Sequence, residues 1–323
     1  MEAEWSLAVQ TEDISASVEN DLRNYAILDV FTDRPFCGNP LAVVTDSEGL
    51  EDAQMQAIAR EFNLSETVFV ASPNNRLHRG SVRIFTPLQE LPFAGHPTIG
   101  TAVLLALDDA RENPSLHEAV LLLEEKIGSI RCGVFLKNGR TGRAIFDVPS
   151  EPVELASKLD REAVANALDL LPGEVCFENH VPSVYSAGVP FAFVPVRNLE
   201  VIARAEPNMS AWADAFSSEA ASAFVYCRET EASGRHFHAR MFAPSMGIDE
   251  DPATGSAVAA LSGAIMRFDA LSPGDHHFVV EQGLEMGRPS LIDLEIEVSG
   301  GRINGVRIGG DAVVIARGAL DID

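Results

Sequence analysis

The chain contains a weak internal repeat, and this repeat restricts its fold more than any other feature. Three pairs of segments match in the same order: 38–44 with 188–194, 83–87 with 240–244, and 96–103 with 251–258. The offsets between them are 150, 157 and 155 residues. Chance explains one such match but hardly three in register, so the sequence predicts two similar halves.

One carboxylate has no counterpart in this repeat. The same frame places residues 65–69 opposite residues 222–226, so that Glu66 stands opposite Ala223. Two similar halves with one unmatched carboxylate predict a site between the halves that has a single main acid/base.

Length and charge are consistent with two domains and exclude some classes of partner. A chain of 323 residues corresponds to about two domains of ~150 residues each. We expect residues 1–23 to form an acidic, loosely ordered tail, residues 24–150 the first half and residues 151–323 the second, with the last strand also able to join the first half. The formal net charge of −24 would repel nucleic acid and anionic membranes, so neither is an expected partner.

The sequence also predicts a cytoplasmic protein without a metal. It has no run of 18 apolar residues of the kind that spans a membrane, and its acidic start lacks the basic region of a secretory signal. The four cysteines show no Cys-x-x-Cys spacing, which argues against zinc and redox motifs. His236 and His238 share one face of a predicted strand, but no third ligand is evident beside them.

Two segments are predicted to be buried helices. Residues 97–107 and 252–266 are small and apolar on nearly every side, and a helix that is apolar all round is buried all round. Many short strand patterns surround them. The expected fold class is therefore α+β, with two pseudo-symmetric domains, each a curved, mostly antiparallel, barrel-like sheet around a buried central helix.

The start of each buried helix predicts an anion site. Pro97 and Pro252 suit the first helical position, where a missing N–H costs nothing, and His96 and Asp251 precede them in N-cap position. A helix N-terminus carries unpaired N–H groups and a partial positive charge. Two such ends, related by the repeat, would meet between the halves and bind a carboxylate.

Five segments carry a resemblance to a known family. They are residues 36–40 (Phe-Cys-Gly-Asn-Pro), 63–67 (Asn-Leu-Ser-Glu-Thr), 90–98 (Glu-Leu-Pro-Phe-Ala-Gly-His-Pro-Thr), 250–256 (Glu-Asp-Pro-Ala-Thr-Gly-Ser) and 282–290 (Gln-Gly-Leu-Glu-Met-Gly-Arg-Pro-Ser). On these residues the chain resembles the phenazine-biosynthesis PhzF-like isomerases, from about Tyr25 to its end. The resemblance implies the diaminopimelate epimerase fold, in which the site lies in the cleft between two halves.

The resemblance also implies a reaction and its residues. It implies that Glu66 is the general acid/base and that His96 and Asp251 hold substrate groups and assist proton movement. The residues implied to bind the substrate carboxylate are Gly95, Gly255 and Ser256. The family uses no cofactor or metal, and its members are commonly homodimers. The expected function is thus a cofactor-independent isomerase that moves a carbon-bound proton on a small carboxylic acid.

Other interpretations stay open. A two-base epimerase or racemase on the same fold usually places a cysteine near the start of each central helix, and residues 93–103 and 249–258 contain none. A pair formed by Glu66 with His96 or Asp251 could still epimerise a substrate. A non-catalytic binding or dimer scaffold is the alternative from another class. Each candidate side chain also has a structural role available, as a strand-edge carboxylate, a helix cap or a tight turn.

Overall fold

The computed structural model describes residues 22–156, 158–216 and 220–322. The predicted N-terminal tail therefore lies outside the described residues except for Leu22 and Arg23, which already belong to the first strand. None of the described helices combines the length and the apolar character needed to cross a membrane.

The described residues are rich in strands. The first eight strands are β1 (Leu22–Val30), β2 (Asn39–Val44), β3 (Glu66–Ala71), β4 (Gly80–Phe85), β5 (Glu90–Leu91), β6 (Glu118–Glu125), β7 (Gly128–Asn138) and β8 (Thr141–Asp147). The later strands are β9 (Val153–Glu154), β10 (Ser183–Ser186), β11 (Pro190–Pro195), β12 (Ala223–Cys227), β13 (Phe237–Ala243), β14 (Ile248–Asp251), β15 (Gly274–Gln282), β16 (Ser290–Ser299) and β17 (Arg302–Asp321). The helices are α1 (Asp52–Phe62), α2 (Gly95–Glu112), α3 (Arg161–Ala167), α4 (Leu199–Arg204), α5 (Met209–Ala215) and α6 (Gly255–Phe268).

The first set of strands closes into a ring around α2. Its order is β17-β1-β2-β3-β4-β6-β7-β8, and β8 pairs with β17 again. Residues 95–107 of α2 are buried inside this ring. The packing is tight, because a Cβ on Gly100 would stand 2.5 Å from Leu41 and 2.8 Å from Val30. The barrel therefore covers all sides of a helix that is apolar on all sides.

The second set of strands curls around α6 in a similar way. Its order is β9-β10-β11-β12-β13-β15-β16-β17. Parallel pairs fall at matching places in the two sets, at β2–β3 and β4–β6 in the first and at β11–β12 and β13–β15 in the second. The sequence expectation of a strand-rich, barrel-like sheet with buried helices is confirmed.

One long strand joins the two sets. β17 runs for 20 residues, pairing with β16 through residues 302–309 and with β8 through residues 307–313. Its remaining residues pair with β1 through residues 312–321. The strand-like residues of the sequence, 302–309 and 313–318, predict two separate strands here, and the structure corrects this to one continuous strand.

The two buried helices begin at other residues than predicted. Helix α2 starts at Gly95 with Ala94 as its N-cap, so His96 lies within the first turn. Helix α6 starts at Gly255 with Thr254 as its N-cap, and Asp251 is the last residue of β14. Pro97 is tolerated within the first turn of α2 because the N–H groups there have no intrahelical partner. Asp251 does not cap α6 because its carboxylate accepts hydrogen bonds from other side chains.

Candidate active site

Glu66 and His96 come together from a strand end and a helix start. Glu66 is the first residue of β3, where it lies opposite Leu41 of β2. His96 Nε2 is 3.3 Å from Glu66 Oε2, and both side chains are largely buried. The two atoms are not aligned as a hydrogen bond, and neither has another partner among the described residues. Buried polar atoms without partners are rare in folded proteins, and each one calls for an explanation, of which a functional role is one.

Asp251 lies beside this pair, and both of its carboxylate oxygens accept hydrogen bonds. Its Oδ1 accepts hydrogen bonds from Asn39 Nδ2 at 2.9 Å and from Ser65 Oγ at 3.2 Å. Its Oδ2 accepts one from Thr254 Oγ1 at 2.5 Å. Because Ser65 directly precedes Glu66 in the chain, this network joins β14 to the start of β3. The carboxyl groups of Glu66 and Asp251 are therefore neighbours in a buried setting.

Gly95, Gly255 and Ser256 lie at the meeting point of the two helix starts. A Cβ on Gly95 would stand 3.2 Å from the Cα of Gly255 and 3.2 Å from the nitrogen of Ser256. No side chain caps either helix. The first N–H groups of both helices are therefore close together, with the partial positive charge of two helix ends. An anionic group suits this position.

Burial shifts the pKa values of all three candidate side chains. It raises the pKa of Glu66 well above the usual value for a glutamate, and the nearby charge of Asp251 raises it further. Burial also raises the pKa of Asp251 to about 6, although hydrogen bonds from Thr254, Asn39 and Ser65 work against this rise. The pKa of His96 is lowered by burial to about 3, so this imidazole is neutral at ordinary pH.

The arrangement suits proton transfer to and from a bound anion. Two neighbouring buried carboxyl groups cannot both ionise easily, so the pair retains a proton up to higher pH than an exposed carboxylate would. A carboxyl group whose pKa is raised toward neutrality can both accept and donate a proton under working conditions. The helix starts would hold an anionic substrate beside that group.

The sequence did not single out four residues that build this site. Asn39 and Ser65 bind Asp251, and Thr254 does so from the start of α6. Gln282 accepts a hydrogen bond from the backbone nitrogen of Thr254 and donates one to the carbonyl oxygen of Asp251. A signal for Asn39 was present, because the repeat places it opposite Val189, an asymmetry of the same kind as that of Glu66.

The histidines that sequence analysis considered as metal ligands have other partners. His238 lies between two carboxylates, with Nδ1 2.8 Å from Glu281 and Nε2 2.9 Å from Glu285. His236 Nδ1 accepts a hydrogen bond from the backbone nitrogen of Val279. These two histidines therefore do not converge on one ligand position.

Another cluster of possible ligands lies away from the candidate site. Among the described residues, Glu178, His180 and Asp269 could together contact one ion. The guanidinium of Arg228 already lies among them, donating hydrogen bonds to Glu178 and Asp269. A protein cation thus occupies the place that a metal would need.

The chain matches a family model described as phenazine biosynthesis-like protein over residues 28–318. The chain belongs to this family. An uncharacterized isomerase of Mesorhizobium japonicum is 49% identical to it over 93% of this chain and 99% of that protein. A trans-2,3-dihydro-3-hydroxyanthranilate isomerase of Pseudomonas fluorescens is 35% identical over the same shares. With relatives of this kind along nearly its whole length, this phenazine biosynthesis-like protein is an isomerase.

Solved structures agree with this assignment. A phenazine biosynthesis protein of the PhzF family from Bacillus anthracis superposes with a TM-score of 0.81 at 26% identity, covering 93% of this chain and 99% of the other. A hydroxyproline epimerase from Agrobacterium vitis superposes with a TM-score of 0.58 at 13% identity, covering 93% of each chain. The second similarity concerns the fold alone.

Proposed function

We propose that this phenazine biosynthesis-like isomerase moves a carbon-bound proton on a small carboxylic acid without a cofactor, and that Glu66 is its general acid/base. One observation carries the proposal. The buried Glu66 and His96 face each other at 3.3 Å with their facing atoms otherwise unpartnered, beside the place where two helix starts meet. An acid/base beside an anion site is the minimum that such a reaction needs.

Each residue has a role in the proposed reaction. The N–H groups at Gly95, Gly255 and Ser256, with the hydroxyl of Ser256, bind the substrate carboxylate. Glu66 takes a proton from one carbon and returns it to another. The neutral imidazole of His96 can donate one hydrogen bond and accept another, which suits it to hold a substrate group beside Glu66.

The carboxylate of Asp251 accepts hydrogen bonds from Asn39, Ser65 and Thr254 and lies next to Glu66. Burial first, and then the negative charge of Asp251, keep the pKa of Glu66 high, so Glu66 binds a removed proton firmly enough to hold it until it is returned. The change from base to acid within one cycle is what a single-carboxylate shuttle requires.

The names of the relatives support a choice of the first substrate to test. Three relatives are named trans-2,3-dihydro-3-hydroxyanthranilate isomerases, at 35%, 33% and 32% identity. The relative that is 49% identical is named only as an isomerase. We therefore propose that compound as the first one to test, within the wider class of small cyclic and amino acids.

A two-base epimerase is the second candidate. Asp251 supplies a second buried carboxyl group with a raised pKa, next to Glu66. A structure described as a predicted epimerase of Pseudomonas aeruginosa, at 31% identity, has a TM-score of 0.74 with this chain. Such an enzyme would exchange one proton with solvent in each turnover, whereas a single-base shuttle can return the substrate's own hydrogen.

The deciding experiment uses solvent deuterium. The protein is incubated in deuterated water with trans-2,3-dihydro-3-hydroxyanthranilate and a panel of small cyclic and amino acids. The products are analysed by mass spectrometry. Glu66→Gln is run in parallel, with Glu61→Gln, an exposed glutamate of α1, as the matched control. Isomerised product from the parent and the control but not from Glu66→Gln supports the proposal.

The isotope content of the product separates the two candidates. Retention of the substrate's hydrogen supports the single-base shuttle, and complete exchange at an inverted centre supports the epimerase. Conversion that continues unchanged in Glu66→Gln contradicts the assigned role of Glu66. Binding of a panel acid without conversion would favour the non-catalytic scaffold.

We also propose that the chain has two pseudo-symmetric halves, residues 24–150 and 151–323, with β17 shared between them. A repeated ion pair supports this proposal. Arg83 of β4 pairs with Glu90 of β5, and Arg240 of β13 pairs with Glu250 of β14. The cytoplasmic location and the homodimer stay predictions, and light scattering after size-exclusion chromatography tests the homodimer.

A further inference from the structure

Asn39 is a buried amide whose orientation is fixed by two acceptors. It is the first residue of β2 and has no exposed surface. Its Nδ2 donates to Asp251 Oδ1 at 2.9 Å and to the carbonyl oxygen of Ala253 at 2.9 Å. Because both neighbours accept hydrogen bonds, the nitrogen must face them. The amide therefore acts on Asp251 only as a donor.

Two kinds of group surround Asp251: side chains that donate hydrogen bonds to it and acidic side chains. Asn39 of β2, Ser65 before β3 and Thr254 before α6 all donate to its oxygens. The acidic groups that face it are Glu66 of β3 and its own neighbour Glu250 in β14.

The nearby cationic guanidinium of Arg240 and the neutral ring of His96 do not donate hydrogen bonds to Asp251. Glu250 is held by the guanidinium of Arg240, and His96 of α2 faces Glu66 as a neutral ring. Asp251 thus receives three hydrogen bonds from side chains. Glu66 Oε2 receives none among the described residues.

This asymmetry decides which carboxyl group keeps the proton. Hydrogen bonds donated to a carboxylate favour its ionised form, whereas burial without donors favours the protonated form. We propose that Asn39 is a positioning residue that holds Asp251 ionised, so that Glu66 is the member of the pair that binds and releases the proton. This inference concerns the same site as the proposed function and names a residue that the substrate need not touch.

A second ion pair holds Asn39 in place. Arg288 donates to Asp29 Oδ1 at 2.5 Å and to the carbonyl oxygens of Cys37 at 2.8 Å and Gly38 at 2.7 Å. Asp29 is buried and also accepts a hydrogen bond from the backbone nitrogen of Phe36 at 2.6 Å. The segment just before Asn39 is therefore fixed to the segment just after β15. Asn39 is placed by the fold and does not depend on a bound ligand.

Two substitutions at Asn39 test the inference. Asn39→Asp keeps the shape and replaces the donor with a carboxyl group, and Asn39→Leu removes the donor without adding charge. Asn198→Ala is the matched control, because Asn198 is an amide that caps α4 outside the site. The acid limb of the kcat/KM profile is expected to move to higher pH by about one unit in Asn39→Leu, further in Asn39→Asp, and not at all in Asn198→Ala.

The same profile separates positioning from mere stability. A structural role for Asn39 would lower the free energy of unfolding and leave the acid limb in place. An unchanged acid limb in folded Asn39 variants overturns the inference, even if Glu66→Gln is inactive and the proposed function stands.

A measurement without substrate tests the inference even if the proposed function is wrong or the Asn39 variants do not fold. In infrared spectra of the parent at neutral pH, the carbonyl bands that lie at higher frequency than the amide band of the backbone come only from carboxyl groups that remain protonated. The band from the protonated carboxyl group of the candidate site is expected to vanish in Glu66→Gln and to persist in Asp251→Asn. Glu125→Gln identifies the band of the other strongly shifted carboxyl group, whose pKa burial raises to about 8. A band that vanishes in Asp251→Asn and persists in Glu66→Gln assigns the proton to the wrong carboxyl group and overturns the inference.

Discussion

Gly95 and Gly255 lie in contact at the point where α2 and α6 begin. A Cβ on Gly95 would stand 3.2 Å from two backbone atoms of Gly255, which is closer than ordinary packing allows. Two helices from different parts of the chain therefore bring their N-termini this close because Gly95 has no side chain. The anion site of the proposed reaction depends on this contact.

Gly95→Ala should impair activity more than stability. The added methyl group must push the two helix starts apart by a few tenths of an ångström, and small misplacements of binding groups cost catalysis heavily. We expect kcat/KM to fall by at least about tenfold. Because Ala favours helix more than Gly does, the free energy of unfolding should change by no more than about 1 kcal/mol. Gly139→Ala, where a Cβ meets nothing within 4 Å, should leave both unchanged.

Glu66→Gln should abolish proton transfer while the fold persists. General acid/base groups contribute roughly 10²- to 10⁴-fold to rates, and we expect kcat to fall by at least that amount. Gln has the shape of the protonated carboxyl group, so the thermal midpoint should not decrease. Single-turnover rates and calorimetry measure the two effects. Full activity in this variant, or an equal loss in Glu61→Gln, would contradict the assignment.

Glu125→Gln should stabilise the protein, and the effect should grow with pH. Glu125 is buried at the end of β6, where Thr98 Oγ1 donates to its Oε1 at 2.7 Å and its Oε2 has no hydrogen-bond partner among the described residues. Burial raises its pKa to about 8. Between the ordinary value of 4.5 and this value, the unfolded chain loses the proton while the folded chain keeps it. Rising pH therefore favours unfolding of the parent.

The glutamine variant removes this pH-dependent cost. Its free energy of unfolding should match the parent near pH 4.5 and exceed it by on the order of a few kcal/mol near pH 8. Urea denaturation at both pH values measures the difference. Glu118→Gln, at an exposed position of the same strand, should show no such trend. The strand pairings already place Gln282 at the matching position of the second set of strands, because Ser81 pairs with Glu124 in the same way that His238 pairs with Glu281.

The two repeated arginines should differ in their importance for stability. Arg240 is buried, pairs with Glu250, and also donates to the carbonyl oxygen of Ala205 at 2.8 Å. Arg83 makes the matching pair with Glu90 but is a third exposed. Removing one partner of a buried ion pair costs about 3 to 5 kcal/mol, whereas exposed pairs contribute about 1 kcal/mol or less. Arg240→Met should therefore lower the urea midpoint far more than Arg83→Met, and equal effects would be inconsistent with this explanation.

The sequence predicted the core elements because their patterns are local. The helices α2 and α6 are apolar on nearly every side, and this composition is visible in each segment by itself. β14, in contrast, contains Asp249-Glu250-Asp251, a composition typical of a loop. It is a strand only because it pairs with β13. Tertiary pairing has overridden the local preference.

The break that sequence analysis placed within β17 has a packing explanation. Gly309-Gly310 looked like the end of a strand, because glycine is unfavourable in strand interiors. In the structure a Cβ on Gly310 would lie 2.4 Å from the ring of Phe31. Glycine is required there so that an aromatic ring can lie against the strand, and the strand continues.

The candidate site was predictable where the repeat exposed an asymmetry, at the starts of the buried helices, and where the family resemblance implied a residue. Glu66 stood out because its counterpart is Ala223. The network around Asp251 is assembled from Asn39, Ser65, Thr254 and Gln282, which are far apart in sequence. No spacing rule connects these positions, so their convergence became visible only with the fold.

The shared strand β17 has a consequence for how the protein is made. The ring around α2 is closed by residues 307–321, which pair with β8 and with β1. A ribosome releases β1 to β8 long before it releases those residues. The nascent first barrel must therefore wait open, with the apolar surface of α2 partly uncovered, until synthesis of nearly the whole described chain is complete. Contacts between such distant segments slow folding and expose intermediates to aggregation.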